Sequence, residues 1–340
     1  MADIPPVVRM PYDDQAFARP SDLPPELGAP LAEFDGAVPP APHWFRQAIA
    51  QAPERTFTRS GDIELETLTW GEVGKPGLLL VHGNSAHADW WSFVAPQLAK
   101  DYRVAAYSLA GMGDSGWRDR YDFATYDRDM EAVARAAGLH KGGRKPVYIG
   151  HSFGGAQVYY AALRHPQLMH AAVMIDTGFL GLTPAMLQRR ERKIAETGAI
   201  PTRIYPDMVS ALARFRFSPA QPAREPYLAD YVARRSLKRV PGPDGQGEGW
   251  TWKFDPMMWE KLDHSDMPPF SGALPPLPVP GAFIHGEYSN FRLRREAGEA
   301  PLMPDDFIEV EIPDAHHHIM VDHPLALVAT IRAVLAGWRA

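Results

Sequence analysis

The stretch Pro146-Val-Tyr-Ile-Gly-His-Ser-Phe-Gly-Gly155 decides the fold. An apolar, β-prone run over residues 147–149 breaks at Gly150-His151-Ser152-Phe153-Gly154, and a helix-forming segment over residues 156–164 follows at once. Strand, tight turn and helix with a serine at the apex is the context of a G-x-S-x-G nucleophile elbow. The glycines supply space, because a sharp turn brings neighbouring backbone close and leaves no room for a Cβ. Ser152 is therefore the candidate nucleophile.

Outward from the elbow, strands and helices alternate. Residues 77–81 read as a buried strand ending at His82-Gly83-Asn84, residues 90–98 as a helix, 103–108 as a strand and 126–137 as a helix. Beyond the elbow helix, residues 171–175 form a strand that stops at Asp176. Upstream, residues 57–70 alternate as a hairpin around Ser60-Gly61-Asp62. The rhythm breaks between Gly178 and Pro278, where helical patches (184–197, 206–217, 226–237) and a hairpin over 239–254 occur without a buried strand. It resumes with strands at 279–284 and 307–312 and a final helix over 324–335. Short apolar strands separated by amphipathic helices predict an α/β fold, a mostly parallel central sheet covered on both faces. The expected organisation is a core of residues 55–177 and 279–340, with a mainly helical cap, 178–278, inserted before the last two strands. Ten of the 34 prolines fall in the first 42 residues, so residues 1–54 read as an extended arm. Trp44, Phe45, Ala48 and Ile49 recur at helical spacing and pin the arm's end to the main body.

Composition narrows the chemistry. The 340 residues contain no cysteine, which excludes disulfides, thiolate nucleophiles and thiolate zinc sites. A net charge of −6 offers no basic footprint for nucleic acid or an anionic membrane. The N-terminus, Met1-Ala-Asp-Ile-Pro-Pro, lacks a basic region followed by an apolar one. No run reaches the ~18 apolar residues of a spanning helix, so a cytoplasmic protein with no membrane contact is expected. Gly111-x-Gly113-x-x-Gly116 formally matches a dinucleotide fingerprint, but Trp117-Arg-Asp-Arg-Tyr-Asp122 lacks the small-residue helix opening that a pyrophosphate requires. No cofactor and no metal are expected.

A serine hydroxyl attacks only when a base removes its proton and a third group orients that base. Open α/β sheets place such groups at the carboxyl ends of their strands. Three histidines, His316, His317 and His318, follow the last expected strand and precede the final helix. Elsewhere such a triplet would read as a polar turn or an adventitious metal site; this placement favours the base.

The chain resembles an α/β-hydrolase with a cap domain, from about residue 55 to 340 apart from the variable cap. The carriers are Leu80-Val-His-Gly-Asn84, Gly111-Met-Gly-Asp-Ser115, Gly150-His-Ser-Phe-Gly154 and Ala315-His-His-His-Ile-Met-Val-Asp-His-Pro324. In such proteins a glycine–histidine pair stands at a fixed interval before a proline. The resemblance thus implies His317 as catalytic base, with His316 in place of the glycine and His316 and His318 as alternatives. The acid usually lies in a Gly-x-x-Asp pattern after the strand following the cap, but here that pattern reads Gly286-Glu-Tyr-Ser289. Asp176 is then the expected acid, as in those hydrolases that draw it from the strand after the elbow helix. Glu287 is the alternative, and Asp322 is expected to cap the final helix. The backbone N–H groups of Asn84 and Phe153 are the implied oxyanion hole, and His82 the implied structural residue. His151 lines the pocket or supports the elbow, and Trp90, Trp91 and Trp252 are further candidates for the pocket wall. They and the other cap aromatics read equally well as core. The implied activity is hydrolysis of a small-molecule carboxylic ester, apolar or aromatic, through an acyl-enzyme. The same machinery serves C–C, lactone and amide bonds, and a non-catalytic small-molecule receptor on this scaffold is the rival of another class. Epoxide hydrolases and haloalkane dehalogenases of this fold carry an aspartate where this chain has Ser152.

Overall fold

The computed structural model describes residues 23–178, 203–242, 245, 247–263, 265, 273–298 and 300–338. The first 22 residues of the arm and the expected helical patch at 184–197 lie outside these. Among the described residues there are ten strands: β1 (Glu54–Ser60), β2 (Ile63–Trp70), β3 (Gly77–Val81), β4 (Arg103–Tyr107), β5 (Val147–His151), β6 (Ala171–Ile175), β7 (Leu237–Pro241), β8 (Glu248–Trp252), β9 (Gly281–Gly286) and β10 (Ile308–Ile312). Eight form one sheet in the order β1-β2-β4-β3-β5-β6-β9-β10. β2 runs antiparallel to both its neighbours, and every other pair is parallel.

The buried strands read as continuous apolar runs because both faces are covered. Alternate side chains feed two separate layers. Leu78, Leu80, Ile149, Val173, Ile175 and Ile284 join one of them, together with the final helix, Pro324–Gly337. Leu79, Val81, Tyr148, Met174 and Phe283 join the other, with the helices Phe123–Ala136 and Phe153–Arg164.

Several local expectations are corrected. Residues 90–98 do not form one helix but a 3₁₀ turn, Ala88–Trp91, and a single α turn, Ala95–Leu98. Pro96 explains the break, since a proline has no N–H to give and its ring clashes with the carbonyl four residues back. The helix expected to begin at Tyr126 begins at Phe123, because Asp122 caps it by accepting from Thr125 N at 2.6 Å. Of residues 206–217 only Met208–Leu212 are helical, capped by Asp207. Between Gly113 and Phe123 no helix forms, so the Gly111–Gly116 turn does not open onto a helix N-terminus.

Between β6 and β9 lie the helices Met208–Leu212 and Pro226–Arg235, the antiparallel β7–β8 hairpin and the turn Met258–Lys261. This segment is tied to the sheet's carboxyl edge by bridges Met112–Phe254 and Tyr121–Leu262 and by His87 Nε2 to Ser236 Oγ at 2.9 Å. The arm also packs on it. Helix His43–Ala50 buries Phe45 against Tyr227, Tyr231 and Phe93, with ring centroids 4.9, 5.5 and 6.0 Å apart. Phe45→Ala is expected to cost about 3–5 kcal/mol, the usual toll for deleting a buried aromatic ring. The shift of the urea midpoint at unchanged slope measures it, and an unshifted midpoint would mean that the arm helix is not docked. Among the described residues no helix is long and apolar enough to cross a membrane.

Candidate active site

Strand register gathers the candidate residues. Val81 pairs with Gly150, His151 with Ile175, and Ile175 with Ile284, so the segments that leave β3, β5, β6 and β9 emerge side by side. Ser152 tops this edge at φ 52°, ψ −118°. That is a left-handed conformation for a residue with a Cβ, and it costs of order 1–3 kcal/mol. Two backbone hydrogen bonds hold it: Ser152 N donates to Ile175 O at 2.8 Å, and Ala156 N donates to Ser152 O at 3.1 Å. The turn closes only because Gly150 and Gly154 lack side chains; a Cβ on the first would collide with Gly154 O, and one on the second with His82 O.

Phe153 opens the helix after the serine, where backbone N–H groups have no intrahelical acceptor. Its ring is held by Trp259, Tyr126 and Phe123, with centroids 5.3, 5.8 and 6.0 Å away. Opposite the elbow runs His82-Gly83-Asn84. A Cβ at Gly83 would stand 2.9 Å from His151 Nδ1 and 3.1 Å from Ser152 Cβ, so glycine lets this backbone approach the serine. His82 fixes the loop from below. Its Nε2 accepts from Leu109 N at 2.9 Å, and its Nδ1–H donates to Gly83 O at 2.7 Å. Burial drives its pKa down to about 3, so the ring is neutral and structural. Asn84 is half-buried, and its Oδ1 has no partner among the described residues.

Asp176 stands one residue beyond β6 at φ 43°, with 1% of its surface exposed. Its backbone N–H donates to Ile284 O at 2.7 Å, and its Oδ2 accepts from Gly286 N at 2.9 Å. The other carboxylate oxygen, Oδ1, lies 3.0 Å from His317 Nδ1. With Nδ1–H donating to the carboxylate, the free lone pair of His317 sits on Nε2. His151, the last residue of β5, lies beneath this ring; its Nε2 is 3.0 Å from His317 O and the two rings are 4.8 Å apart. Burial and the neighbouring His317 push His151 well below the ordinary histidine range.

The three histidines separate into different environments. His316 turns away, with Nδ1 3.0 Å from Asp322 Oδ2. His318 is buried among Trp90, Phe217 and His151, with centroids 5.2, 5.3 and 5.4 Å away, and burial holds it far down in pKa. Glu287 is not placed beside any of them: its Oε2 accepts from Asp314 N at 2.9 Å. Ser289, where an aspartate was to be expected, caps the helix Asn290–Glu296 by accepting from Arg292 N.

Asp322 does not cap the final helix, contrary to expectation. Its Oδ2 accepts from His316 N at 2.8 Å and its Oδ1 from Gln221 Nε2 at 2.9 Å, while Gln221 Oε1 accepts from His318 N at 2.8 Å. A buried Asp–Gln pair therefore clamps the backbone on either side of His317. Gln221 escaped sequence reasoning because its partners lie 97 and 101 residues away. Of the candidate wall residues, Trp90 faces Phe217 and His318, whereas Trp91 is fully buried in the core. Trp252 packs on Phe215 and Tyr205. Tyr227 and Tyr231 face the arm instead.

The eight-stranded sheet, with this elbow at its carboxyl edge, is the α/β-hydrolase architecture. The profile of the alpha/beta hydrolase family matches residues 78–331, well over half of the chain, and the chain belongs to that family. Among characterised relatives, it is 34% identical to lipase LipV of Mycobacterium tuberculosis over 115 residues, 34% of this chain and 42% of that protein. It is 30% identical to a fluoroacetate dehalogenase of Burkholderia sp over 129 residues, 36% of this chain and 40% of that one. The chain thus spans about two-fifths of the length of these relatives. A solved thioesterase domain from the curacin biosynthetic pathway superposes with a TM-score of 0.62 at 20% identity, covering 82% of this chain and 99% of that one.

Proposed function

We propose that this chain is a serine hydrolase of carboxylic esters. Ser152 is the nucleophile, His317 the base, Asp176 the orienting acid, and the backbone N–H groups of Phe153 and Asn84 the oxyanion donors. The observation that carries this reading is the 3.0 Å contact of His317 Nδ1 with the buried Asp176 carboxylate, one strand away from the elbow serine. His317 Nε2 takes the Ser152 hydroxyl proton as Oγ bonds to the ester carbon. The carbonyl electrons move to oxygen, where the two N–H groups receive the charge. Collapse expels the alcohol, which leaves with the proton from His317. A water then repeats the sequence on the acyl-serine, releasing the carboxylic acid and restoring the hydroxyl.

Ser152 also argues for acyl transfer over dehalogenation, the activity named for one relative. Displacement at a saturated carbon by a serine oxygen would leave an alkyl ether, which water does not cleave as it cleaves an ester. In the same reading residues 178–278 are a lid over a core of 55–177 and 279–340, with 1–54 the arm. Phe217 and Trp90, 6.0 Å apart beside His318, form the apolar wall for an acyl or aromatic group. A fluorophosphonate probe tests the assignment: one label per chain is expected, mapped by peptide mass spectrometry to Ser152. A label confined to another residue, or none at all, refutes it.

A further inference from the structure

His318 poses a question that ester hydrolysis does not answer. Its side chain is 4% exposed and both ring nitrogens are buried; the Ser218 backbone lies beside the ring, but neither nitrogen makes a hydrogen bond of good geometry among the described residues. An unpaired buried polar atom costs roughly 1–3 kcal/mol, and with at best one weak backbone contact this ring keeps at least one such nitrogen in a wall made of Trp90 and Phe217. The neighbours of that ring are His317 and His151, at centroid distances of 4.8 and 5.4 Å. The three side chains offer one donor nitrogen each within 4.8 Å of one another. All three are buried, and they come from two separate parts of the fold, the end of β5 and the loop after β10.

We propose that His151, His317 and His318 form an inhibitory site for a borderline divalent transition metal such as Zn²⁺, Co²⁺, Ni²⁺ or Cu²⁺. Three neutral imidazoles suit these ions and not Mg²⁺ or Ca²⁺, which require oxygen ligands. A tetrahedral ion with M–N bonds of about 2.0–2.1 Å needs donors about 3.4 Å apart. The separation of at most 4.8 Å therefore closes by up to about 1.4 Å, within the reach of ring rotation about χ1 and χ2. Asp176 completes the arrangement from behind: it accepts from His317 Nδ1 at 3.0 Å, as carboxylates do for metal-bound histidines, and leaves Nε2 to face the ion. Gln221 and Asp322 hold the backbone on both sides of His317, so the chain that carries two of the three ligands is fixed before the ion arrives and only their rings need turn.

Coordination takes the lone pair of His317 Nε2, the one that must accept the Ser152 proton, so the loaded protein does not acylate. No covalent or redox step is involved; chelation restores the free ring. The inhibition, though not the binding, rests on His317 being the base.

The test uses Zn²⁺ and Co²⁺ on the full chain. Wild type is expected to take up one Co²⁺ with the intense visible absorption of a tetrahedral site, and Zn²⁺ should displace it. Ser152→Ala should bind equally, since the serine is no ligand. His318→Phe, and independently His318→Asn should the first fail to fold, should bind at least about 100-fold more weakly, the upper end of what even a second-shell change costs. His316→Gln should bind as wild type does. Ester turnover, normalised to each protein's own metal-free rate, should fall with Zn²⁺ in wild type, return with EDTA, and need at least about 100-fold more Zn²⁺ in the His318 variants. Absence of a 1:1 Co²⁺ spectrum, or equal affinity in the His318 variants, overturns the site. Binding that depends on His318 but leaves turnover untouched overturns the inhibition and, separately, the role of His317 as base.

Discussion

Replacing Ser152 by alanine is expected to lower kcat on a nitrophenyl acylate by about 10⁵–10⁶-fold, close to 8 kcal/mol of transition-state stabilisation at the upper end. The size follows from the proposed mechanism, in which the three residues act as a unit: with no oxygen to acylate, His317 and Asp176 would have nothing to activate. What remains is the contribution of binding and of the oxyanion N–H groups, a residual of about 10³–10⁴ over water. Alanine is the right replacement for a backbone reason. Ser152 holds φ 52° with a Cβ already in place, and alanine keeps that Cβ and therefore the same strain. Glycine would relax the turn and confound the loss of the oxygen with a change of geometry. Among the described residues no hydrogen bond in the elbow depends on the hydroxyl; the backbone bonds beside it run from Ser152 N to Ile175 O and from Ala156 N to Ser152 O. The thermal midpoint should accordingly stay where it is. Activity above about one per cent of wild type, in a preparation free of contaminating esterase, removes Ser152 from the mechanism.

The elbow was legible because every cause of it is local: an apolar strand, two glycines and a helix former within ten residues. The sheet was legible for the same kind of reason, since strands buried on both faces write themselves as apolar runs. The resemblance singles out His317 by its interval from Pro324, and Asp176 stands out by its place at a strand end; the register with His151 and Ile284 brings these two side chains within 3.0 Å of each other. The loop clamp was not legible. Asp322 looks like a helix cap from its neighbours, and only the fold brings Gln221 to it from a distant segment. His318 was equally opaque: nothing in a triplet of identical residues says that one turns to Asp322, one to Asp176 and one into an aromatic wall. The break within residues 90–98 has a local cause in Pro96, and with only Ser92 and Gln97 polar the run lacks the polar face that marks a surface helix. The empty acid position had a structural use that the motif concealed. Ser289 caps a helix there, a task for which serine is among the best residues.

Asp176→Asn is expected to lower kcat by about 10⁴-fold, and Glu287→Gln to leave it little changed. The asymmetry comes from what each carboxylate touches. Asp176 uses one oxygen to accept from Gly286 N and the other to accept from His317 Nδ1. Asparagine fits the same space and tolerates the same φ of 43°, so the backbone is retained. Its amide has only one oxygen, however, and two N–H donors face it. If the amide oxygen stays on Gly286 N, the NH₂ group points at His317 and forces Nδ1 to accept. The imidazole then carries its proton on Nε2, the atom that must receive the one from Ser152, and the base is disabled without moving. If the amide turns over, His317 keeps its tautomer but Gly286 N–H loses its buried acceptor, at roughly 1–3 kcal/mol. In either orientation the negative charge that stabilises the imidazolium of the transition state is gone. Glu287, by contrast, accepts from Asp314 N, and among the described residues no hydrogen bond or ion pair joins it to the His317 ring. Glutamine keeps that bond in neutral form, so its cost falls on stability, about 0.5–1.5 kcal/mol. The measurement is kcat for both variants on one ester, with unfolding midpoints alongside. A loss of several orders of magnitude in Glu287→Gln, with Asp176→Asn near wild type, would transfer the acid to the neighbouring strand. Near-wild-type rates in both would dissolve the triad.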